Sequence, residues 1–310
     1  MLFKYKKVVS QLAEPMVFGS QIIEGRSLWQ DAKRRFLRNK AAVGCLFVIG
    51  VIVLFSIFGS QFAQYSYEEI DWLALSDPVE LGKPSLETGH YFGTDNLGRD
   101  LYARTVQGSQ ISLMVGILSS AVAIVIGTLY GATAGFIGGR VDMIMMRIVE
   151  ILSALPFMFM VIMLMVMFGR QIILIFIAIG AVSWLDMARI VRGQTLSIKN
   201  KEYIEAAHAC GVSHWRIIVR HIVPNVMGIV LVYASLMIPG MIMFESFISF
   251  LGLGVQEPQT SWGALISQGV VSMEFALWQL AFPLTFLVIT LFCFNFVGDG
   301  LRDALDPKER

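Results

Sequence analysis

Six apolar runs constrain this chain more than any other feature. They span Ala41 to Gln61, Ile111 to Phe136, Ile144 to Phe168, Ile172 to Met187, Val226 to Phe250 and Leu277 to Phe296. Crossing the hydrocarbon core of a bilayer takes about twenty apolar residues as a helix. Lipid offers backbone N–H and C=O groups no partner, so such runs must satisfy themselves as helices. The fourth run is the shortest, at sixteen residues, and only Gly169, Arg170 and Gln171 separate it from the third. That spacing predicts a tight turn between antiparallel spans.

Composition excludes the main alternatives. The chain is 56% hydrophobic and 15% charged, with a mean hydropathy of +0.68, outside the range of soluble domains. Its net charge of +1 carries no general basic excess for nucleic acid. Cys45, Cys210 and Cys293 are far apart in sequence, and two lie in apolar runs, so they imply neither a disulfide framework nor a thiolate metal cluster. The first run follows a long charged stretch and has no cleavage signature, so it is expected to stay in the mature protein.

Charge placement gives the orientation, because Lys and Arg in short flanks are retained on the cytoplasmic side. Nine of them precede Ala41, and six more lie between Ala188 and Pro224. Between Phe62 and Gly108, eight acidic residues face only Lys83, Arg99 and Arg104, and Leu251 to Ala276 contains no Lys or Arg. Both of these loops should face outward, with both termini cytoplasmic. Gly116, Ser120, Gly127, Gly131 and Gly135 form a small-residue stripe for close helix packing, within the chain or against another subunit.

The segment Lys201 to Pro224 reads as a short helix, a turn and a second helix. Ala206, Ala207 and Ala209 favour helix, Gly211 suits a left-handed helix end, Ser213 suits an N-cap and Pro224 the opening of the fifth span. His208, Cys210, His214 and His221 lack the spacing of a zinc motif, so no metal is expected. Asp142 suits the positive end of a helix, and Arg147 can pair with Glu150. Glu245, inside the fifth span beyond Pro239-Gly240, needs a partner at that depth and should face protein or a pathway.

Glu205-Ala206-Ala207, three residues, Gly211, nine residues and then His221-Ile222-Val223-Pro224 resembles the EAA loop of binding-protein-dependent ABC importer permeases. His221 and Val223 stand where that family usually has Ile and Leu. Further stretches resemble its peptide-importing branch: Phe92 to Asp100, Ser249 to Val255, Gly298 to Pro307, Glu24 to Ala32 and Ser183 to Arg189.

The resemblance implies an all-α, six-helix type I ABC importer permease fold. Residues 1–106 would hold the cytoplasmic tail, first span and outer loop, and residues 107–310 the permease domain. Glu205, Ala206, Ala207, Gly211 and Pro224 would form the coupling helix region that docks on an ATPase subunit. It further implies an inner-membrane complex with a second permease subunit, two ATPase subunits and a periplasmic peptide-binding protein. ATP and Mg would bind the ATPase partners, with no cofactor in this chain. The only Gly-Lys pair, Gly82-Lys83, precedes Pro84 and forms no phosphate-binding loop.

A dipeptide- or nickel-type importer is the nearest alternative. An ion-coupled secondary transporter would have to rely on Glu245 and Asp186. A membrane-embedded enzyme lacks a nucleophile with a base, paired carboxylates or a metal motif. The topology makes a direct prediction: an export-dependent reporter fused after Gln259 is active, and one fused after Lys199 is inactive, with the reverse pattern for a cytoplasm-dependent reporter. Opposite activities would overturn the orientation.

Overall fold

The computed structural model describes residues 28–77, 79–169 and 172–305, which form helices and two isolated bridges but no strand. Glu24 to Ser27 of the N-terminal stretch, Arg170 and Gln171 of the tight turn, and Asp306 and Pro307 of the tail lie outside the described residues. Helix α1 (Leu28–Arg38) leads through Asn39 into α2 (Lys40–Phe58), and a loop holding α3 (Trp72–Ser76) leads to α4 (Leu101–Ile137). Then come α5 (Gly139–Ser153), α6 (Phe157–Phe168), α7 (Ile172–Ile198), α8 (Glu202–Ala209) and α9 (His214–Ile217). A π turn (Ile218–Ile222) precedes α10 (Val223–Phe250), followed by α11 (Trp262–Val271) and α12 (Leu277–Leu305). Five of the described helical runs are long and apolar enough to cross a membrane, and α5 with α6 makes a sixth if the pair counts as one span.

The third span is therefore not the single helix expected from Ile144 to Phe168: α5 and α6 meet at 84°. Pro156 explains the break. Its ring disfavours the helical conformation for Leu155 and it has no N–H to continue the ladder. The fourth span is longer than its apolar run, with α7 reaching 27 residues. Charges that ended the run are paired instead: Arg189 donates to Asp186 at 3.0 Å, and Arg192 grips Asp142 through two bonds at 2.5 and 2.6 Å. The Asp142 pairing joins α5 to α7, while Arg147 meets Glu150 at 2.8 Å as the spacing suggested. Helix α4 also starts ten residues before its apolar run, at the N-cap Asp100, whose carboxylate accepts the Ala103 N–H at 2.8 Å.

The small-residue stripe packs within the chain. A Cβ placed at Gly131 would overlap the Ala188 carbonyl oxygen and lie 2.9 Å from the Arg192 nitrogen. Gly127 faces Met187 and the Trp184 carbonyl, Gly135 faces Thr195 and the Arg192 carbonyl, and Gly116 faces Ile242 of α10. Helices α4 and α7 thus approach backbone to backbone, which only glycine allows.

At one end of the bundle, the 62–100 loop interlocks with the 251–276 loop. Arg99 donates to Asp95 at 2.8 Å and to Glu257 at 3.0 Å, and Asn96 donates to Ser272 at 2.5 Å. Buried Arg104 donates to Asp95 and to Gln268. Buried His90 bridges two helix caps, Asp100 of α4 at 2.9 Å and Asp71 of α3 at 3.2 Å. Burial opposes a charge on His90, but its bonds to Asp100 and Asp71 outweigh this and raise its pKa above the ordinary histidine value. Partial burial likewise opposes the Asp71 carboxylate, yet His90 and the N–H groups of Ala74 and Leu73 hold its pKa below the usual range.

Two predictions follow from this packing. Gly131→Leu forces α4 and α7 apart, a strain of about 1–3 kcal/mol or more, so the yield of assembled protein should drop sharply. Gly44→Leu, with nothing within 4 Å, should match wild type; equal yields for both variants would show that the seam carries nothing. For the loop clasp, stabilisation by His90 is complete below its unfolded pKa and fades as pH rises through the raised folded value. Stabilisation through Asp71 is complete above its unfolded pKa and fades as pH falls through the depressed folded value. Amide exchange in residues 71–100, corrected for intrinsic rates, should therefore accelerate on the alkaline side, and His90→Gln should abolish that step. A His90→Gln profile identical to wild type would refute the clasp.

Candidate functional site

The candidate coupling segment lies where α7 ends. Helix α8 opens with Glu202 in its first turn and ends in a reciprocal backbone cap: Val212 N donates to Ala207 O at 3.1 Å and Gly211 N to His208 O at 2.9 Å. This closing pattern needs a left-handed residue after the helix, and Gly211 supplies it with φ of +77°. Ser213 occupies the N-cap position of α9 in extended conformation but makes no side-chain capping bond. The rings of His208 and His214 meet edge to face at 5.3 Å across the turn.

One face of the segment is welded to the bundle. Ile204, Ile217, Ile218 and Ile222 are buried in a cluster with Ala132 of α4, Met187 and Val191 of α7, and Val226 and Val230 of α10. The other face is open: Glu205, Ala206 and Gly211 are exposed, Ala207 is half-buried, and Tyr203 and Trp215 stand out at 42% and 59% exposure. Sequence reasoning missed Tyr203 and Trp215. Their signal was available, since Tyr203 directly precedes Ile204 and Trp215 lies two positions before Ile217, offsets that turn each away from the helix face its isoleucine buries.

Pro224 is exposed, thirteen positions beyond Gly211, and does not start a separate helix. From His214 to Phe250 the chain is one helical run. Proline in such a run collides with the carbonyl four residues back. The π turn before it relieves this by widening the ladder, with Val223 N bonding Ile218 O. The second half of the segment, from His214, is therefore continuous with α10.

Further along α10 lies a cavity of about 980 Å³. Its wall combines the α5–α6 break, Leu152 to Phe157, with Ser183, Asp186 and Arg189 of α7 and with Tyr233, Met237, Met241 and Phe244 of α10. Arg189 also donates to Ser153 at 2.5 Å, tying the break to α7. The cavity is mostly apolar, with a few polar groups at its edge.

Glu245 is not in this wall. It is fully buried, accepting from Ser112 at 2.9 Å, Ser249 at 2.7 Å and Ser246 at 3.5 Å. Ser112 in turn accepts the Trp262 N–H at 3.2 Å, so the carboxyl ties α4, α10 and α11 together. Hydroxyl donors of this kind offset the cost of burying the group. Just beyond, α10 ends as α8 does, with Leu253 N donating to Ile248 O at 3.1 Å and Gly252 N to Ser249 O at 2.9 Å.

Comparison with known proteins places this geometry. Residues 123–310, which include α8 and the cavity wall, match the family described as binding-protein-dependent transport system inner membrane component. Residues 27–78 match the N-terminal TM domain of oligopeptide transport permease C. The chain is 61% identical over 288 residues to the oligopeptide transport system permease protein OppC of Escherichia coli K12, covering 93% of this chain and 94% of that one. It is 59% identical to OppC of Haemophilus influenzae Rd, covering 93% and 91%. It is 43% identical to the dipeptide transport system permease protein DppC of Bacillus subtilis 168, covering 92% and 87%. A helical bundle with five to six membrane-length spans and matches of this extent identify the chain as a multi-pass member of the binding-protein-dependent transport system inner membrane component family.

Proposed function

We propose that this chain is the permease subunit through which oligopeptides cross the inner membrane in an ATP-driven importer. A second, different permease subunit, two ATPase subunits and a periplasmic peptide-binding protein would complete the assembly. The observation that carries the reading is the cytoplasmic segment itself. Its exposed face, with Glu205 and Ala206, is held on a buried isoleucine cluster, and one tight turn at Gly211 links it to the helical run from His214 into α10. Such a part can receive displacement from a soluble motor and pass it to the membrane helices.

In this reading residues 1–106 supply the tail, first span and outer loop, and residues 107–310 the permease core. Both termini are cytoplasmic in this reading, which is supported by Gly300 of α12 abutting Ala42 of α2 and Gly135 of α4 abutting Thr195 of α7 just before α8. This puts the basic flanks and the coupling segment on one side, as the positive-inside rule requires. ATP and Mg bind the ATPase subunits, and this chain performs no hydrolysis of its own.

The cavity beside α10 is the natural stretch of pathway for a flexible chain of mixed side chains. Met237, Met241, Tyr233 and Phe244 offer an adaptable apolar surface with few fixed polar demands. Oligopeptides are favoured over dipeptides because relatives at 59% and 61% identity are named for oligopeptide transport, against 43% for a relative named for dipeptide transport. The ion-coupled alternative loses support, since Glu245 is sealed among serines and away from the cavity, and Asp186, which does line it, is paired with Arg189 at 3.0 Å.

The test uses Gly211. A β-branched residue at φ of +77° is strained by about 1–3 kcal/mol, although the space around Gly211 is open. In the assembled complex, Gly211→Val should therefore lower peptide uptake at least about tenfold and abolish stimulation of ATP hydrolysis by loaded binding protein, with insertion unchanged. Glu205→Ala should act in the same direction, more weakly, because it removes one polar contact and keeps the helix. Wild-type uptake and stimulated hydrolysis in Gly211→Val would show that this segment does not couple.

A further inference from the structure

The corner where α1 meets α2 carries an unusual concentration of charge. Lys33, Arg34, Arg35, Arg38 and Lys40 fall within eight positions, with Asp31 as the one acid in α1. Arg34 and Arg38 are four residues apart on one helix, a like-charge spacing that destabilises a helix standing alone. None of the ion pairs among the described residues involves Lys33, Arg34, Arg38 or Lys40.

The corner is also fixed in place. Ala32 is buried, and Phe36 packs with Cys45 of α2 and Leu301 of α12 in the cluster around Ile49, Cys293 and Val297. Gly300 of α12 sits against Ala42, Phe36 and Asn39. A single non-helical residue, Asn39, links α1 to the membrane-spanning α2, and its side chain caps α2 by accepting the Ala42 N–H at 3.1 Å. Helix α1 is thus held at the level of the membrane surface, with no linker that would let it swing into bulk water.

What it shows outward is mixed. Leu37 is 57% exposed, and Lys33 and Arg34, four and three positions before it on the same face, are exposed as well. An apolar side chain ringed by cations suits the boundary between acyl chains and headgroups. Beside it a polar cleft of about 370 Å³ is lined by Arg35, Arg38, Asn39, Gly300, Asp303 and Ala304. The two guanidinium groups and the Asn39 amide are donors suited to a phosphodiester, and the Asp303 carboxylate is an acceptor suited to headgroup hydroxyls.

We propose that the α1–α2 corner and its cleft bind an anionic glycerophospholipid, with the phosphate on Arg38 and Asn39, the headgroup hydroxyls on Asp303, and Lys33 and Arg34 holding neighbouring headgroups. The lipid supplies the counter-charge for Lys33, Arg34, Arg38 and Lys40, which enter none of the ion pairs among the described residues, and it anchors the first span against α12. The proposal is independent of the peptide-transport reading, since it concerns a face remote in sequence from both α8 and the cavity.

The test is native mass spectrometry of the purified complex containing the full chain, incubated with phosphatidylglycerol, phosphatidylcholine or inorganic phosphate. Wild type should retain phosphatidylglycerol in preference to phosphatidylcholine, and millimolar inorganic phosphate should not displace it. The combined variant Lys33→Gln, Arg34→Gln and Arg38→Gln should bind roughly 100-fold more weakly, given the contribution expected of each basic residue at an anionic membrane surface. The charge-keeping variant Lys33→Arg, Arg34→Lys and Arg38→Lys should keep the preference, which separates loss of binding from loss of folding. Equal retention of the two lipids, displacement by inorganic phosphate, or an undiminished preference in the glutamine variant would each overturn the proposal.

Discussion

Inside a bilayer, two helices gain nothing by hiding apolar side chains from each other, because lipid tails are equally apolar. Contact must come from close van der Waals approach, and α4 and α7 achieve it by bringing Gly127, Gly131 and Gly135 against the backbone of Trp184, Ala188 and Arg192. Much else is placed by that seam. It fixes the register of α7, which sets where Arg189 and Arg192 emerge to hold Ser153 and Asp142 of the broken third span. It also builds the floor of Ala132, Met187 and Val191 on which Ile204 and Ile217 rest. The position of α8 in space is in this sense a consequence of glycines more than sixty residues before it.

The sequence was most legible where one physical rule acts alone. Lipid-length apolar runs became helices, and Gly211 ends α8 in the left-handed conformation that its place in the motif required. It was least legible where tertiary partners override local signals. The charges at Arg189 and Arg192 cut the fourth run short on a hydropathy reading, yet Arg192 is neutralised by Asp142, 50 positions away, and Arg189 pairs with Asp186 and reaches Ser153 on the broken third span, so the helix continues. In the same way, the polar start of α4 looked like loop because its partners, Asp95, Gln268 and the 251–276 loop, lie outside any local window. The break at Pro156 had a local cause, but proline also occurs unbroken in this chain, at Pro239 inside α10 and Pro283 inside α12.

The cavity was invisible in the sequence for a related reason. Its apolar walls, Met237, Met241 and Phe244, have the same residue types as lipid-facing positions such as Met243 and Phe247 on the same helix. Only the side of α10 on which they fall distinguishes them, and a helix apolar all round carries no periodic signal to reveal it. Glu245 marked α10 as unusual, but its role proved to be on a third side of that helix, where Ser112 and Ser249 hold it.

These placements let a displacement at α8 pass across the Gly211 turn and reach the far end of the molecule through one continuous helical run. The run from His214 to Phe250 is helical throughout, and the π turn that absorbs Pro224 does so by widening the ladder, not by opening it. Along this rod the contacts follow in order: the isoleucine cluster with α8, then Tyr233 to Phe244 on the cavity, then Glu245 with its serines. The last of these connects through Ser112 to Trp262 and so to the 251–276 loop, which Arg99 and Asn96 lock to the 62–100 loop. A shift of α10 bears directly on the cavity wall, which Tyr233, Met237, Met241 and Phe244 line. The weak point of the wall is the α5–α6 break, where an 84° corner is held by Arg189 and Arg192 alone of the charged groups on α7. The bundle is thus stiff along α10 and compliant across the cavity, the combination needed if movement at one face of a membrane is to change the shape of a space within it.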